Sequence, residues 1–545
     1  MNSGDIGHIQ QQEWRWLIIA SSALVFLAFA PFLWIAIANP AGEGWQFMGV
    51  LHDYRNGAAL LAKMQQGSQG QWLTQFHHTP EPHVGAIVQI LYTALGQLTR
   101  FIGISPIVIF HVARVGASFL MYIALYQLAA SIWSHIRTRR LFFVIASLGA
   151  GFGWVWFFLT NDANIPDLNM PQMFVFYSTF INIHYPLAIA AVSILAAIMI
   201  VALRPGMEES PTLQNGGLMA FLLGIALAFL YPEALVPFGV VLLILSVRMW
   251  LKRRRWVTHE WRWSLWILLP PLPIIAYDLL TIITNPAMAE WNSQNVSPAP
   301  NPFGLLLAFG IPLIFAAPGI YRAIRRFEPD GDQFMLLWLL AMLVAIYLPG
   351  TVQARFGLGL IIPIAYFATR ALVDFWLPVM KLRPLIVVAL IPIMAGSQLF
   401  SLFFPVVPLV VGRPQDARGL LLERDYLAMF EWLDTQIRRD DVVVLTSPNV
   451  GIWLPVWTNA RAVYGHPVET FDADVKRRAV VHWYQEAANE TCLPLLEGQY
   501  TFDPDFDYRV NFVLIGPEER LLGSIHCQDD LIPLFGYGRV SIYRP

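Results

Sequence analysis

The sequence predicts a polytopic α-helical membrane protein with about eleven transmembrane helices and a small C-terminal α/β domain outside the cytoplasm. Hydrophobic residues make up 56% of the 545 residues, and charged residues make up 13%. The mean hydropathy is +0.53. A soluble protein of this length cannot bury that much apolar surface in one core. The composition therefore excludes a disordered chain, a secreted disulfide scaffold and an ordinary cytosolic enzyme.

Apolar runs of spanning length recur along the first 404 residues, and about 20 residues are needed to cross a bilayer. The eleven runs cover 16–38, 105–131, 141–159, 186–203, 216–231, 233–251, 263–284, 303–320, 333–349, 356–377 and 385–404. A further apolar stretch, 84–102, carries one polar stripe: Gln89, Thr93, Gln97 and Arg100. This stripe favours a helix in the membrane interface, and a spanning helix is the alternative.

The basic residues predict the orientation of the chain. Lys and Arg concentrate in the short loops 135–140, 248–262, 321–326 and 378–384. With eleven spans, and 84–102 not crossing, all four loops lie in the cytoplasm. The loops 160–185 and 285–302 lack Lys and Arg and lie outside, as does the C-terminus. A spanning 84–102 with the N-terminus outside would give the same sides downstream.

The composition changes after residue 405, which predicts two domains. Residues 1–410 form a multi-span membrane domain with a long outer loop, 39–104, and residues 411–545 form an extracytoplasmic domain. In the latter, expected helices at 422–438 and 472–489 alternate with strands at 441–446, 460–464, 510–515 and 539–543, which indicates an α/β layer. Cys492 and Cys527 lie here, either paired or as free thiols.

Polar residues in the first outer loop are candidates for chemistry, because membrane proteins keep ionisable groups near the bilayer mainly for function. The loop contains His52, Asp53 and Tyr54, followed by Glu81 and His83. Asp53 stands just beyond the first span, where a carboxylate can act as a general base or a metal ligand. A helix-capping or solvated aspartate is the alternative.

Three further outer segments carry acids or a histidine. The loop 160–185 contains Asp162 and Asp167 and ends in His184, at the start of the next span. Glu233 lies in a very short outer turn between two spans. Acids from two loops on one membrane face can converge on one site, so the loop 160–185 and the first outer loop could share one. The Glu233 carboxylate is either exposed at the surface or pointed into a cavity.

Two other outer features fit a hydroxyl-rich ligand and an anion. Gln294 and Asn295 lie close to Trp291, and amides with an aromatic ring suit hydroxyl-rich ligands; a proline-stiffened loop is the alternative. Arg355 is the outward-facing basic residue in the downstream half of the membrane region. A guanidinium binds phosphate bidentately, whereas contact with lipid headgroups is the alternative.

This pattern resembles the GT-C superfamily of integral-membrane glycosyltransferases, which includes the mannosyltransferases and aminoarabinosyltransferases that depend on polyprenyl-phosphate sugars. The likeness rests on the long outer loop with an early acid, the many spans, the late outer arginine and the C-terminal domain. The matching motifs are His52-Asp53-Tyr54, Thr79-Pro80-Glu81-Pro82-His83, Asn285-Pro286, Gln294-Asn295 and Gln353-Ala354-Arg355. No tandem acidic pair follows the first span, as it commonly does in that superfamily.

The resemblance implies a function and roles for the site residues. A sugar would move from a polyprenyl-phosphate donor to a glycan, lipid or protein acceptor, with Asp53 as the base and Arg355 on the donor phosphate. Asp162 or Asp167 would assist or bind a divalent cation, the one candidate cofactor. Membrane lipids are expected partners, and the net charge of −2 gives no reason to expect nucleic acid. A lipid or polysaccharide transporter or flippase, and a non-catalytic scaffold, are the alternatives.

Overall fold

The computed structural model describes residues 7–204, 213, 215–253, 258–329, 331–379, 383–437, 442–485, 489–501, 507–525, 527–528 and 531–545. Arg254, Arg255 and Lys381 of the predicted basic loops lie outside these residues. The α-helices are α1 (Gln11–Ala38), α2 (Tyr54–Ser68), α3 (Ile90–Ile102), α4 (Pro106–Ile132), α5 (Ile136–Leu148), α6 (Gly153–Thr160), α7 (Pro166–Asn169), α8 (Val175–Thr179), α9 (His184–Ala202), α10 (Gly216–Leu230), α11 (Leu235–Arg253), α12 (Thr258–Leu268), α13 (Leu272–Thr284), α14 (Pro286–Gln294), α15 (Pro302–Arg326), α16 (Asp332–Ile346), α17 (Ile361–Ala371), α18 (Leu377–Val379), α19 (Arg383–Phe403), α20 (Val407–Val410), α21 (Asp425–Gln436), α22 (Pro448–Gly451), α23 (Leu454–Trp457), α24 (Ala473–Gln485), α25 (Asn489–Leu496) and α26 (Pro517–Arg520).

The protein is a polytopic helical membrane protein. Eight helical segments in the described part of the chain are long and apolar enough to span a membrane. They are Gln11–Ala38, Pro106–Ile132, Ile136–Thr160, His184–Ala202, Pro232–Lys252, Pro302–Arg326, Gln353–Trp376 and Ile391–Val410. A bent pair, Trp261–Leu268 with Leu272–Thr284, forms a ninth candidate. The other two of the eleven predicted runs are the apolar helices α10 and α16, each of 15 residues, shorter than the roughly 20 that a span needs.

The chain divides into two compact units. The first unit consists of Met1–Phe29, Val112–Asp278 and Ser297–Phe404. In this unit α15 packs along α17. Several of its charged residues form ion pairs: Glu13 binds Arg139, and Arg322 and Arg370 both bind the buried Asp332.

The second unit joins Ala30–His111 and Leu279–Val296 to Pro405–Pro545. The C-terminal residues therefore share a compact unit with most of the predicted long outer loop. Two short strands, β1 (Trp45–Phe47) and β2 (Leu421–Glu423), connect these segments as an antiparallel pair.

A five-stranded mixed sheet forms the centre of the C-terminal region. Its strands are β3 (Val443–Leu445), β4 (Arg461–Ala462), β5 (Val510–Ile515), β6 (Ile532–Tyr537) and β7 (Val540–Arg544), in the order β4-β3-β5-β7-β6. β3 is parallel to β4 and β5, whereas β7 is antiparallel to β5 and β6. Helices alternate with the parallel strands, as predicted, and Cys492 pairs with Cys527 in a disulfide, one of the two alternatives.

Within the predicted stretch 84–102, only Ile90–Ile102 form a helix, α3, which has 13 residues and a length of about 20 Å, too short to cross a bilayer. Its polar residues face α2: Thr93 and Gln97 are buried, whereas Leu98 and Phe101 are exposed. The two helices approach so closely that a Cβ atom at Gly96 would lie 2.1 Å from a backbone oxygen of α2. This geometry agrees with the favoured prediction of an interfacial helix.

Candidate active site

Asp53 is the N-cap residue of α2. It is the acid of the motif His52-Asp53-Tyr54, and it is accessible to solvent. Its backbone is left-handed, with φ of 48°, a conformation that Asp tolerates better than most residues. Both carboxylate oxygens accept hydrogen bonds from the Asn56 side chain, at 2.9 and 2.8 Å. Partial desolvation by the surrounding protein raises its pKa to about 6, against the opposing effects of Asn56 and Arg55, although the residue as a whole keeps contact with solvent. A carboxylate of this kind is suited to accept a proton near neutral pH.

The residues beside Asp53 have structural contacts. His52 is buried. Tyr54 is half-buried and stacks against Trp453 of the C-terminal region, with ring centroids 6.4 Å apart. The guanidinium of Arg55 lies over the Tyr54 ring, 5.8 Å from its centroid. These contacts hold the start of α2, and therefore Asp53, against the C-terminal region of the same unit.

A buried ion cluster, made of Lys63, His78, Glu81, Glu469 and Lys476, fixes the first loop further along. Lys63 of α2 forms an ion pair with Glu469, and Glu469 also binds Nδ1 of His78 at 3.0 Å. Burial opposes ionisation of Glu469, but the nearby Lys63, His78 and His466 lower its pKa overall. Glu469 is therefore a carboxylate paired with Lys63 and hydrogen-bonded to His78, and it has a structural role.

Glu81 belongs to the same buried ion cluster rather than to an open pocket. It is fully buried, forms an ion pair with Lys476 and accepts a hydrogen bond from the Thr79 hydroxyl at 2.5 Å. His83 is buried beside it, and its Nε2 accepts from the backbone N–H of Phe76 at 3.0 Å. Burial lowers the pKa of His83 to about 3, so the ring is neutral. Glu81 and His83, which were both predicted to bind substrate, thus make their polar contacts with other residues of the protein.

The amide pair of the outer loop also contacts the C-terminal segment. Gln294 donates to the backbone oxygen of Thr470 at 3.1 Å and accepts from the backbone N–H of Ala473 at 3.2 Å. Asn295 is half-buried and follows the end of α14. Gln294 therefore connects α14 to the start of α24.

Arg355 and Glu233 meet in the first unit. Arg355 lies in a 3₁₀ turn, Gln353–Gly357, and Glu233 lies in another, Pro232–Ala234. Nη1 of Arg355 lies 3.1 Å from Oε1 of Glu233, and the side chains are 24% and 17% exposed. His184 is half-buried at the start of α9, and its charge interacts with that of Arg355.

The two acids of the second outer loop differ in accessibility. Asp167 is fully buried and accepts a hydrogen bond from the backbone N–H of Gly153 at 3.0 Å, at the start of α6. Burial raises its pKa to about 6. Asp162 is exposed, and its carboxylate accepts from the backbone N–H of Asn164 at 2.8 Å. Asp167 has the geometry of a helix cap, and Asp162 that of a loop acid open to solvent.

The structure thus groups the predicted residues in two sets. His52, Asp53, Tyr54, Glu81, His83, Gln294 and Asn295 belong to the second unit, and Asp162, Asp167, His184, Glu233 and Arg355 to the first. In the described ranges, no group of three or more His, Cys, Asp or Glu side chains is arranged to hold a metal ion. Sequence reasoning missed Lys63, Glu469 and Lys476, because ion pairs that join residues about 400 positions apart leave no local pattern.

Comparison with solved structures gives matches over nearly the whole chain. ArnT from Cupriavidus metallidurans in the apo state aligns with a TM-score of 0.52 at 11% identity, covering 96% of this chain and 98% of that one. The apo oligosaccharyltransferase of Archaeoglobus fulgidus aligns over 96% of this chain and 74% of its own, at 12% identity and a TM-score of 0.49. The arabinofuranosyltransferase AftD from Mycobacteria aligns over 99% of this chain and 40% of its own, at 13% identity and a TM-score of 0.48. No family model and no curated protein sequence matches the chain.

Proposed function

We propose that this chain, which has the GT-C fold of the membrane glycosyltransferase ArnT, transfers a sugar from a polyprenyl-phosphate donor to an acceptor outside the cytoplasm. The fold likeness to ArnT extends over almost the full length of both chains. A membrane-embedded enzyme suits this donor, because the polyprenyl chain stays in the bilayer while the sugar is transferred. Membrane lipids are accordingly part of the proposed environment of the site.

The observation that carries the proposal is the state of Asp53. Two acids of the outer loops, Glu81 and Asp167, are fully buried and hydrogen-bonded within the protein. Asp53 is exposed, its pKa is raised to about 6, and its partner is the neutral Asn56. A general base needs this combination of access and a pKa near the working pH.

The proposed reaction is a direct displacement at the anomeric carbon. Asp53 takes the proton from the acceptor hydroxyl as that oxygen attacks the sugar. The bond between the anomeric carbon and the phosphate oxygen breaks, and its electron pair leaves with the polyprenyl phosphate. The Arg355 guanidinium neutralises charge on the leaving phosphate, a role for which its paired donors are suited. Displacement in one step inverts the anomeric configuration.

The other predicted residues have supporting roles in this proposal. His52, Tyr54, Glu81, His83 and Gln294 hold the first outer loop and α14 in place, and His184 and Glu233 surround Arg355. Asp162 is accessible and is the candidate for assisting the reaction or binding a divalent cation, whereas Asp167 caps a helix. We place the second unit outside the cytoplasm, which its disulfide supports because disulfides persist in oxidising compartments.

The test is transfer by the purified protein in lipid nanodiscs, supplied with a panel of polyprenyl-phosphate sugars. Asp53→Asn should reduce the rate by about 10²–10⁴-fold, the usual contribution of a general base. Asp416→Asn, an exposed acid of the same unit, is the matched control and should retain the wild-type rate. Rates measured with and without a chelator determine the cation requirement.

The pH profile gives a second readout of the same assay. Because Asp53 acts in its deprotonated form and its pKa is about 6, kcat/KM should fall roughly tenfold per unit below pH 6. Transfer that persists in Asp53→Asn, or an acid limb unchanged by that substitution, would remove Asp53 from the role of base.

A further inference from the structure

The ion pair between Arg355 and Glu233 rests on a rigid support. The backbone N–H of Ala354 donates to the oxygen of Ser297 at 3.0 Å, and the backbone N–H of Ser297 donates to Thr351 at 2.6 Å. The Gln353 side chain accepts from the N–H of Ala299 at 3.1 Å and donates to Leu348 at 2.8 Å. The backbone of the turn that carries Arg355 is therefore held on both sides. The guanidinium can accordingly change its partner by movement of side chains, without movement of this backbone.

Glu233 is supported in a similar way. Its 3₁₀ turn begins with Pro232, and the backbone N–H of Ala234 donates to the oxygen of Tyr231 at 3.1 Å. The turn contacts the turn of Arg355. Tyr231 is buried, and its ring packs edge-on against Tyr185, with centroids 5.9 Å apart. The carboxylate of Glu233 is thus presented to the guanidinium by a constrained segment.

Two carboxylates already lie in the region of Arg355, so the binding of a third anion there is electrostatically unfavourable. Two carboxylates, Glu233 and Asp278, interact electrostatically, and Glu233 also binds Arg355. His184 interacts with Arg355 as well, although it counts as positive only when protonated. A phosphate that binds Arg355 therefore comes close to the Glu233 carboxylate, which already binds this arginine. Two negative charges side by side repel each other, and the repulsion is costly in a partly desolvated site.

The donor and the product differ in the charge that they bring. A polyprenyl-phosphate sugar is a phosphodiester with one negative charge. The polyprenyl phosphate left after transfer is a monoester, which carries about −1.5 to −2 near pH 7. A carboxylate beside the phosphate site disfavours the product more strongly than the donor.

We propose that Glu233 is a gating residue of the donor-phosphate site: it occupies the Arg355 guanidinium in the ligand-free protein and returns to it to expel the product phosphate. This inference rests on the proposed function, in which Arg355 binds the donor phosphate. Phosphate entry displaces the carboxylate from Nη1 of Arg355, and no covalent bond changes. Glu233 thereby favours the monoanionic donor over the dianionic product.

The experiment measures binding of undecaprenyl phosphate to the full chain in nanodiscs. This lipid is the ligand named in a crystal structure of ArnT from Cupriavidus metallidurans, and it serves here as a product probe. Glu233→Gln keeps the size of the side chain and removes its charge, so we expect about tenfold tighter binding. Glu233→Ala should also bind undecaprenyl phosphate more tightly. This second variant excludes the explanation that the new glutamine amide itself contacts the ligand.

Glu328→Gln is the matched control. Glu328 binds Nη2 of Arg322 at 3.0 Å and is partly exposed, so the substitution removes a comparable carboxylate from another arginine of the same unit. Its binding of undecaprenyl phosphate should equal that of the wild type. Thermal unfolding of each variant verifies that the fold is intact.

Arg355→Ala separates the two proposals. Weaker binding in Arg355→Ala with tighter binding in both Glu233 variants supports the gate. Weaker binding in Arg355→Ala with unchanged or weaker binding in the Glu233 variants overturns the gate and leaves Arg355 as the phosphate ligand. Binding that does not depend on Arg355 overturns the phosphate role itself, and the gate with it.

Discussion

Two sets of charged pairs, one in each compact unit, show how burial decides what an ion pair can do. In the buried ion cluster of the second unit, Glu81 and Lys476 are 0% exposed, and each has several protein partners. In the first unit, Arg355 and Glu233 are about a fifth exposed. A fully buried charge that loses its partner faces a desolvation cost of several kcal/mol, whereas a partly exposed charge can exchange its partner for water or a ligand.

The same contrast separates Asp53 from the acids around it. The buried ion cluster holds the 74–83 segment and α2 against the C-terminal residues, and Asp53 stands at the accessible end of α2. A rigid support for an accessible group is what a catalytic site needs. We therefore interpret the cluster as the scaffold and Asp53 as the group that meets the acceptor.

Breaking the buried ion cluster is the largest expected effect. Lys476→Met leaves the Glu81 carboxylate buried without its ion-pair partner and should lower the free energy of unfolding of the second unit by about 3–5 kcal/mol. Arg539→Met is the control in the same unit, because the side chain of Arg539 is 69% exposed in its pair with Glu423. It should cost less than about 1 kcal/mol. Equal losses in denaturant unfolding would contradict the comparison.

The disulfide gives the second largest expected effect. Cys492 and Cys527 are 35 positions apart, and the loop that they close constrains the unfolded chain. Replacing either with Ser should destabilise the second unit by about 3–4 kcal/mol, measured by unfolding under oxidising conditions. Reducing agent should bring the wild type to the level of the variants and leave the variants unchanged. A wild type insensitive to reduction would argue against a structural role for the bridge.

Acid should weaken the second unit by a smaller amount. Burial lowers the pKa of His83 and of His466 to about 3 in the folded state, below the ordinary value near 6.5. The stability that depends on their neutral form is fully present above pH 6.5 and is lost as the pH falls towards 3. At pH 5 the loss should be up to about 2 kcal/mol for each histidine.

A pair of variants tests this acid sensitivity by thermal unfolding between pH 7.5 and 5. Nδ1 of His466 accepts from the backbone N–H groups of Val468 and Glu469, and Asn can replace that acceptor without titrating. His466→Asn should therefore flatten the dependence on pH. The exposed His482 provides the control, and His482→Asn should leave the dependence as it is. Identical slopes in the two variants would show that His466 does not contribute.

Hydrophobic patterning made most of the membrane fold predictable. All eleven apolar runs are helical in the structure, because runs of that length have few other ways to satisfy their backbone in a bilayer. Short strands of the C-terminal region were predictable where they are apolar, as in β5. The edge strand β6 was missed because its residues are almost all exposed and show no alternation of buried and exposed positions. The pair β1–β2 was missed because a strand of three residues has no periodicity of its own.

The site was predictable only in part. Asp53 stood out by its place after the first span, and Arg355 by its charge on the outer side. The motif from Thr79 to His83 also stood out, but in the structure Glu81 and His83 make buried contacts with residues near 461–476. A single sequence does not show which polar residues are taken up by partners hundreds of positions away.

The measurement that tests the account most directly compares Arg355→Ala with Asp53→Asn in sugar transfer, with separate KM values for donor and acceptor. Arg355→Ala should raise the KM for the polyprenyl-phosphate donor and leave the KM for the acceptor near the wild-type value. Asp53→Asn should lower kcat by at least about 10²-fold with little change in the donor KM. Equal effects of Arg355→Ala on both KM values, or an Asp53→Asn variant that keeps the wild-type kcat, would contradict the assignment.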